Sequence, residues 1–429
     1  MKTFYYPRRE QWGGILARPT QDDSDIARTC EKIFEEVRAG GDDAVRGFTK
    51  EYDGADIADL RVGEEEFTAA EDAVSEELKD AIRLAAANIE AFHRAQMPER
   101  VEWNDGRGVK CWQEARPIES IGLYVPGAAA PLFSTVLMLA IPARLAGCRE
   151  VVLCTPPATD GSINPAILWT ARLCGVERVY KVGGIQAVAA MTFGTQSIPA
   201  VYKIFGPGNR YVTAAKQLAT AYGVAIDMPA GPSEVMVVAD GSAIQAFVAA
   251  DLLSQAEHGV DSQVVLVTWT PEILPAVEAE TARQLALLPR REVARQALQH
   301  SRTIVVRDRA EALSMVNEYA PEHLIISTEN YSDFADGVQN AGSVFLGNYS
   351  PESVGDYASG TNHTLPTAGW ARTYSGVNMD AFVKKVTFQE LTREGLERLG
   401  TAVVTMAENE QLAAHANAVA IRLGEYGTE

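Results

Sequence analysis

Between residues 118 and 232 the chain alternates short apolar runs with helical patterns, in units of about 25–30 residues. The run Val201–Phe205, for example, passes through a GPGN turn into the helical pattern Arg210–Ala221. Because parallel strands need crossover connections, this alternation predicts a parallel sheet covered by helices, which binds ligands beyond the carboxyl ends of its strands. The other strands of this series are predicted at Ile121–Val125, Glu150–Cys154 and Arg178–Val182.

A second series of strands and helices follows residue 233 and predicts a second parallel sheet. The pattern stops in the Gly- and Ser-rich stretch Gly355–Gly369, and residues 387–423 are helical and alanine-rich, with no strand to complete a core. Residues 1–20 are polar, aromatic and interrupted by proline, which is typical of an arm. The strands of the second series are predicted at Val235–Ala239, Val264–Thr268, Thr303–Val306, Leu324–Ser327 and Ser343–Leu346.

The predicted fold is therefore α/β, with two Rossmann-like parallel-sheet domains, an N-terminal arm and a helical C-terminal tail. A short strand is also predicted at Val109–Pro117. Since a tail without its own core must pack on another surface, arm and tail together predict an intertwined dimer. The predicted boundaries are 1–20 for the arm, 21–120 with 233–376 for the first α/β domain, 121–232 for the second α/β domain and 377–429 for the tail.

The composition excludes several classes of partner. A formal charge of −19 at pH 7 disfavours nucleic acid and anionic membrane surfaces, since both bind basic faces. No run reaches the roughly 18–20 uninterrupted apolar residues of a membrane span, and the N-terminus has no hydrophobic signal core. Five cysteines without a C-x-x-C pair favour buried thiols in a reducing compartment. We therefore expect a soluble, cytoplasmic protein.

Gln255 and His258 are three residues apart in the stretch DLLSQAEHG, so their side chains emerge from one face of the last helical turn. An imidazole and an amide oxygen directed to one point can hold a metal or orient a polar substrate. The alternative is an exposed last turn with a histidine that the helix dipole favours.

Other polar side chains in distinctive settings extend the candidate site. Each one alone suits a surface position or a satisfied buried group, but together with Gln255 and His258 they supply a Gln, an Asp and two His for a metal, plus a second acid/base set. Zinc takes imidazole and carboxylate readily, whereas an amide oxygen is an unusual ligand. These candidates are Glu322 with His323, Asp356 with His363 in GDYASGTNH, and Glu410 with His415 in the tail.

Three Gly-containing turns open helices directly after predicted strands: PGAAAP, GGIQ and GPGN. Backbone N–H groups at such a position can bind an anion such as a phosphate. None of the turns is a full dinucleotide or P-loop motif, and ordinary tight turns also use glycine. The residues alone therefore indicate an α/β protein with a candidate metal site and a candidate nucleotide site.

Seven short motifs along the chain closely resemble those of the histidinol dehydrogenase family, in the family's order. The resemblance extends from about residue 20 to the tail. It implies a zinc-dependent, NAD-linked homodimer with one zinc per subunit, which converts L-histidinol through L-histidinal to L-histidine in two oxidations. The motifs are LYVPG (123–127), KIFGPGN (203–209), AGPSE (230–234), SQAEHG (254–259), YAPEHL (319–324), GDYASGTNH (355–363) and the tail's E-x4-H.

Matched position by position, the resemblance implies a role for each candidate residue and assigns zinc and substrate to the first α/β domain and NAD to the second. The implied zinc ligands are Gln255, His258, Asp356 and His415. The implied catalytic residues are Glu322 and His323. The implied substrate contacts are Ser233, Gln255, His258, His323, Asp356, His363, Glu410 and His415. The implied NAD contacts are Tyr124, Gln186 and Asn209. The family's tail crosses to the partner subunit, which implies active sites shared between two chains.

The expected chemistry is two hydride transfers to two NAD⁺ molecules. His323 is the expected general base, since an unperturbed imidazole pKa of about 6.5 keeps a neutral base available near neutral pH. Glu322 is expected to activate the water that adds to the aldehyde. The zinc is expected to fix the substrate, a templating role.

Two departures from the family pattern fall in the nucleotide region: Ala128 with Phe133 after LYVPG, and Ile185 beside Gln186. These departures concern the predicted NAD contacts and leave the predicted zinc ligands unaffected. The alternatives are a relative that oxidises another small polar alcohol, a zinc hydrolase and a non-catalytic metabolite-binding protein. The hydrolase signature H-E-x-x-H is absent from the sequence, and a binding protein would leave Glu322 and His323 unexplained.

Overall fold

The structure is a computed structural model that describes residues 1–19, 24–127 and 130–424. Its strands are β1 (Lys2–Tyr5), β2 (Val101–Asn104), β3 (Val109–Pro117), β4 (Ser120–Tyr124), β5 (Glu150–Thr155), β6 (Arg178–Lys181), β7 (Lys203–Phe205), β8 (Ala225–Ile226), β9 (Glu234–Ala239), β10 (Gln263–Thr268), β11 (Arg302–Val305), β12 (His323–Ser327), β13 (Ser343–Leu346) and β14 (Val383–Leu391). Its α-helices are α1 (Arg9–Ile15), α2 (Ser24–Gly40), α3 (Asp42–Phe48), α4 (Glu64–Ala73), α5 (Glu76–Ala95), α6 (Phe133–Ala146), α7 (Pro165–Leu173), α8 (Gly184–Phe193), α9 (Arg210–Ala221), α10 (Gln245–Ala256), α11 (Leu274–Leu285), α12 (Arg291–Gln299), α13 (Arg309–Tyr319), α14 (Tyr331–Ala335), α15 (Glu352–Tyr357), α16 (Arg393–Asn409) and α17 (Ala413–Leu423).

The first βα series forms a five-stranded parallel sheet in the order β6-β5-β4-β7-β8. The four predicted strands are confirmed to within two residues at each end, and only the two-residue strand β8 was not predicted. The chain enters at β4, moves outward to β6 and returns on the other side at β7, so a crevice opens at the carboxyl ends of β4 and β7. There Gly206 has a φ of +128°, and a Cβ on it would lie 2.0 Å from the carbonyl oxygen of Tyr124. Only glycine therefore fits this turn.

The second series forms a six-stranded parallel sheet in the order β1-β11-β10-β9-β12-β13. Its five predicted strands are confirmed to within one residue. The expectation of an N-terminal arm is wrong for Lys2–Tyr5, which pairs in parallel register with Arg302–Val305. After it, α1 buries Trp12 and Ile15 in the core beneath this sheet. A four-residue edge strand is too short for its alternating pattern to be distinguished from an irregular segment.

The N-terminal helices pack around the five-stranded sheet. Helix α2 contacts α8 and α9, α4 contacts α7, and α5 contacts α6. The structure therefore differs from the predicted grouping of residues 21–120 with the six-stranded sheet. The apolar stripe of an amphipathic helix shows that it must be buried, but it does not show against which surface.

Residues 97–117 and 383–424 form a separate compact unit. Its antiparallel sheet has the order β14-β3-β2, which confirms the strand predicted at Val109–Pro117. The expectation of a tail without strands is wrong, because Val383–Leu391 pairs along the whole length of β3. Trp112 and Phe388 stack across this pair with ring centroids 5.2 Å apart. Helices α16 and α17 follow and pack against each other.

The two Rossmann-like parallel sheets confirm the predicted fold class. No helix in the described ranges combines the length and the apolar character that crossing a membrane requires.

Candidate active site

Glu322 and His323 lie at the start of β12 and are almost fully buried, with exposed fractions of 5% and 3%. One residue of the neighbouring strand, Glu234, holds both through its backbone. Its N–H donates to Glu322 Oε2 at 2.9 Å, and its carbonyl oxygen lies 3.3 Å from His323 Nδ1. Since a carbonyl only accepts, this contact places a proton on Nδ1. The other ring nitrogen, Nε2, lies 3.3 Å from Asp356 Oδ1, so the structure brings the predicted pair together with a predicted zinc ligand.

This cluster lies at the amino ends of β9 and β12, which begin at Glu234 and His323. The predicted catalytic pair of the six-stranded sheet therefore lies at the amino ends of its strands, not at the carboxyl ends where ligands of parallel sheets usually bind. The C-terminal end of α10, which carries Gln255, leads back to the start of β10 at the same edge.

The charges around His323 differ from the sequence-based expectation. Burial acts to lower the pKa of His323, but the negative charges of Glu322 and Asp356 outweigh burial and raise this pKa well above its ordinary value. Burial also raises the pKa of Glu322. In the metal-free chain, the neighbouring carboxylates thus favour a protonated His323, whereas the sequence-based expectation was an unperturbed pKa. A neutral imidazole here requires a compensating positive charge near the carboxylates.

Asp356 and His363 are held by contacts within their own segment and to α6. His363 Nδ1 donates to the backbone oxygen of Asp356 at 2.8 Å, and Nε2 lies 3.1 Å from Thr135 Oγ1. The preceding residue, Asn362, donates from Nδ2 to the carbonyl oxygen of Met138 at 2.7 Å. The glycine-rich segment is therefore an ordered part of the site and not a free loop.

Gln255 is fully buried in the last turn of α10, yet both polar atoms of its amide lack a hydrogen-bond partner among the residues that the structure describes. An unpaired buried amide costs about 1–3 kcal/mol, so a protein rarely retains one without a ligand for it. His258 follows this helix and is exposed. A buried amide oxygen without a partner fits a bound cation or another polar ligand.

Within residues 1–19, 24–127 and 130–424, no group of three or more His, Cys, Asp or Glu side chains is close enough to hold a metal ion. Of the four predicted ligands, Gln255 is an amide, and His415 belongs to the separate unit. The first unit therefore contains three of the four predicted zinc ligands, and zinc binding stays a prediction.

A cavity of about 790 Å³ connects three predicted site residues: Asn209, Ser233 and His258. Its volume is in the range of pockets that bind small molecules and cofactors. Asn209 also caps α9, since its side chain accepts hydrogen bonds from the N–H groups of Tyr211 and Val212 at 3.0 and 3.1 Å. Residues assigned to NAD, substrate and zinc therefore share one cavity.

Tyr124 and Gln186 lie at the carboxyl ends of β4 and β6. The Tyr124 hydroxyl accepts from the N–H of Gly184 at 3.2 Å, and burial raises its pKa to about 12. Gln186 Nε2 donates to Asp53 Oδ2 at 3.3 Å. Burial raises the pKa of Asp53 to about 6, so this carboxyl is poorly solvated. Both predicted NAD contacts are nearly buried, with exposed fractions of 5% for Tyr124 and 1% for Gln186, and Tyr124 ends β4 beside the crevice where the sequence predicts NAD.

The departures from the family pattern lie beside this crevice. Ile185 is buried in the core, and Phe133 is half-buried at the start of α6. Ala128 lies outside the described residues.

Glu410 and His415 belong to the separate unit. Glu410 follows α16, His415 lies in α17, and both side chains are exposed. The structure therefore does not join them to the other predicted ligands within the first unit.

Three residues that sequence reasoning missed belong to the site. Glu234 holds the predicted catalytic pair, Arg18 binds the carboxylate of Glu234, and Glu352 links α15 to α10 by accepting from Ser254 Oγ at 2.6 Å. Glu352 is buried, which raises its pKa to about 8. Only Glu234 had a sequence signal, as the last letter of AGPSE.

The comparisons with known proteins agree with one another. The chain matches the model of the histidinol dehydrogenase family over residues 16–423. It is 56% identical to the histidinol dehydrogenase of Bacteroides thetaiotaomicron over 425 residues, 99% of each chain, and 52% identical to that of Salmonella typhimurium over 417 residues, 96% of this chain and 95% of that one. The crystal structure of the Elizabethkingia anophelis histidinol dehydrogenase matches with a TM-score of 0.97 at 54% identity, over 99% of this chain and 98% of that one. The chain therefore belongs to the histidinol dehydrogenase family of oxidoreductases.

Proposed function

We propose that this chain is a zinc-dependent, NAD-linked histidinol dehydrogenase, which oxidises L-histidinol through L-histidinal to L-histidine. The observation that carries the proposal is the buried Glu322–His323 pair, whose imidazole contacts Asp356. The buried Gln255 amide, which has no partner among the described residues, supports the metal site. Family membership over nearly the whole chain supports the same reading.

Gln255, His258 and Asp356 of one chain, with His415, would hold the zinc, one ion per subunit. When bound, zinc would supply positive charge that holds the substrate in place. Asp356 raises the pKa of His323 in the metal-free chain, and its use as a zinc ligand would weaken this effect and favour the neutral imidazole. His323 is the group that would act as the base.

Each oxidation removes a hydride from carbon and a proton from oxygen. In the first, His323 Nε2 accepts the hydroxyl proton of histidinol while the hydride goes to NAD⁺, which leaves the aldehyde. Glu234 supports this step because its carbonyl oxygen holds the Nδ1–H and fixes the ring.

Before the second oxidation, water adds to the aldehyde. Glu322 takes a proton from this water as its oxygen bonds to the carbonyl carbon, and the hydrate then loses a hydride to a second NAD⁺. Burial raises the pKa of Glu322, which makes its carboxylate a stronger base than an exposed one. One histidinol, one water and two NAD⁺ thus give one histidine and two NADH, and the protons taken up by His323 and Glu322 pass to solvent.

Tyr124, Gln186 and Asn209 would contact NAD at the carboxyl edge of the five-stranded sheet. Gly206 allows the backbone to approach closely at the strand-order reversal, where dinucleotides bind in such sheets. Ser233, which lines the shared cavity, and His363 would contact the substrate.

We further propose a homodimer in which Glu410 and His415 complete the site of the partner chain. Both side chains are exposed, and so are Met406 and Leu412 in the same helical tail, with 65% and 43% of their surface accessible. A helical hairpin with exposed apolar side chains suits burial against a second copy. The five cysteines are all free thiols, which suits the reducing cytoplasm that we propose as its location.

The decisive experiment is NADH formation from L-histidinol, followed by absorbance, with protein of known zinc content. Two NADH for each histidine formed would support the proposal. No NADH from histidinol, but NADH from another small polar alcohol, would favour a relative with a different substrate.

A further inference from the structure

Arg18 forms a two-pronged ion pair with a carboxylate deep in the first unit. Its Nε lies 2.5 Å from Glu234 Oε2, and its Nη2 donates to Glu234 Oε1 at 2.7 Å. The Glu234 side chain is 3% exposed and that of Arg18 is 21% exposed. Parallel N–H bonds from a guanidinium to a carboxylate fix the direction of both groups.

The surroundings of this pair are equally specific. Nη2 of Arg18 also donates to the carbonyl oxygen of Tyr319 at 2.8 Å, and the guanidinium carbon lies 4.0 Å from the centre of the Tyr319 ring. Gln263, the register partner of Glu234 on β10, donates from Nε2 to the carbonyl oxygen of Ala17 at 3.0 Å. The first residues of two adjacent strands therefore hold the segment that carries Arg18.

The same Glu234 holds Glu322 by its N–H and His323 by its carbonyl oxygen. We propose that Arg18 is a positioning residue for the Glu322–His323 pair and acts through Glu234. The expected effect of Arg18 on kcat rests on the proposed function, whereas its expected effect on the backbone at Glu234 does not.

The physical reason is the cost of a buried charge. Without the guanidinium, the one contact that the Glu234 carboxylate keeps among the described residues is that with the Tyr319 hydroxyl at 3.3 Å. A nearly unpaired buried carboxylate must move toward water or take up a proton. Movement toward water displaces the first residue of β9 and with it the N–H and C=O that meet Glu322 and His323. Protonation leaves the residue without the ion pair that fixes it, which loosens the same two contacts. Lysine carries the charge but lacks the planar fork, so it is not an equivalent replacement.

The structural test is hydrogen exchange at the Glu234 amide, measured by NMR or mass spectrometry, and it requires no turnover. In R18M this amide should exchange at least tenfold faster than in the wild type. R9M is the matched control, because Arg9 belongs to the same N-terminal segment but forms an exposed pair with Glu318 at 3.2 Å. R9M should leave exchange at Glu234 unchanged.

The kinetic test compares the R18M effect in two backgrounds. In otherwise wild-type protein, R18M should lower kcat for histidinol by about 10–100-fold, the usual cost of a small misplacement, with zinc content and KM nearly unchanged. In H323N the same change should lower kcat less than threefold, since the group that Arg18 positions is already gone. R18K, which keeps the charge and folds more readily, should show a smaller effect with the same dependence on His323.

Unchanged exchange at Glu234 in R18M and R18K would overturn the proposal whatever reaction the enzyme catalyses. Equal factors of kcat loss in the two backgrounds would also overturn it, because they would show a general structural role. A wild-type protein that makes no NADH from histidinol would refute the proposed function instead, and the exchange measurement would still decide the role of Arg18.

Discussion

The buried ion pair between Lys216 and Asp227 should contribute both to the free energy of unfolding and to the affinity for NAD. Their side chains are 5% and 0% exposed, and Lys216 Nζ lies 2.5 Å from Asp227 Oδ1. Both side chains hold the turn at Gly206. Lys216 Nζ donates to the carbonyl oxygen of Gly206 at 2.7 Å, and the N–H of Gly206 donates to Asp227 Oδ2 at 2.8 Å. This turn leads directly to Asn209.

The change K216M keeps most of the side-chain volume and removes the charge. It leaves the Asp227 carboxylate buried without its cation, and removal of one partner of a buried pair costs about 3–5 kcal/mol. Asp227 retains N–H bonds from Gly206 and Met228 and interacts with the charge of Lys203. These contacts place the loss of unfolding free energy at the lower end, about 3 kcal/mol.

Urea unfolding followed by circular dichroism measures this loss, and NAD titration should show weaker binding. The matched control is K50M, because Lys50 and Asp56 form a pair at a similar distance, 2.6 Å, with side chains 64% and 77% exposed. K50M should cost less than about 1 kcal/mol. Addition of D227N to K216M should restore stability by removing the unpaired charge. A K216M loss no larger than that of K50M would refute the reasoning.

Three further predictions concern the site. Because burial raises the pKa of Glu352 to about 8, the native state keeps a proton that the unfolded state releases above about pH 4.5. The metal-free protein should therefore lose stability as pH rises from about 5 to about 8, by a few kcal/mol at most, and E352Q should flatten this slope in thermal unfolding. H258N and H415N should each abolish zinc binding in elemental analysis. A mixture of the two variant chains should regain roughly a quarter of wild-type activity, because about half of random dimers are mixed and each mixed dimer has one intact site of two. H323N should lower turnover by roughly two to four orders of magnitude with zinc still bound, and E322Q should slow aldehyde oxidation more than alcohol oxidation.

Each of these predictions has a clear contrary outcome. If the free energy of unfolding rises between pH 5 and 8, and rises more steeply in the wild type than in E352Q, the predicted effect of Glu352 on stability has the wrong sign. No recovery of activity after demonstrated subunit exchange would place His415 in the site of its own chain. Equal losses on the two substrates in E322Q would leave Glu322 with a purely structural role.

The strands of both parallel sheets were predictable because their signal is local. A run such as Gln263–Thr268 is apolar over its whole length, since both faces of a central parallel strand are buried. The edge strand Lys2–Tyr5 and the strand Val383–Leu391 were missed for the opposite reason. Each is half-exposed, and each is stabilised by a partner far away in the chain.

The chemical groups of the candidate site were identifiable from the sequence, but their environment was not. Glu322, His323 and Asp356 stand in motifs long enough to be specific. The raised pKa of His323 depends on carboxylates brought together by folding, so no motif encodes it. Glu352 and Arg18 could not be selected either, because a Glu or an Arg near a turn is usually solvated.

The sequence by itself determined the alternation of strands and helices, the family and the identity of the polar groups, because each of these is carried by residue types at short spacing. Only the tertiary structure decided that Arg18 reaches Glu234, that the helices of residues 24–95 cover the five-stranded sheet, and that the Gln255 amide is buried without a partner. These facts depend on contacts between residues far apart in the chain. Such contacts are selected by the total burial and charge pairing of the folded chain, which no local pattern contains.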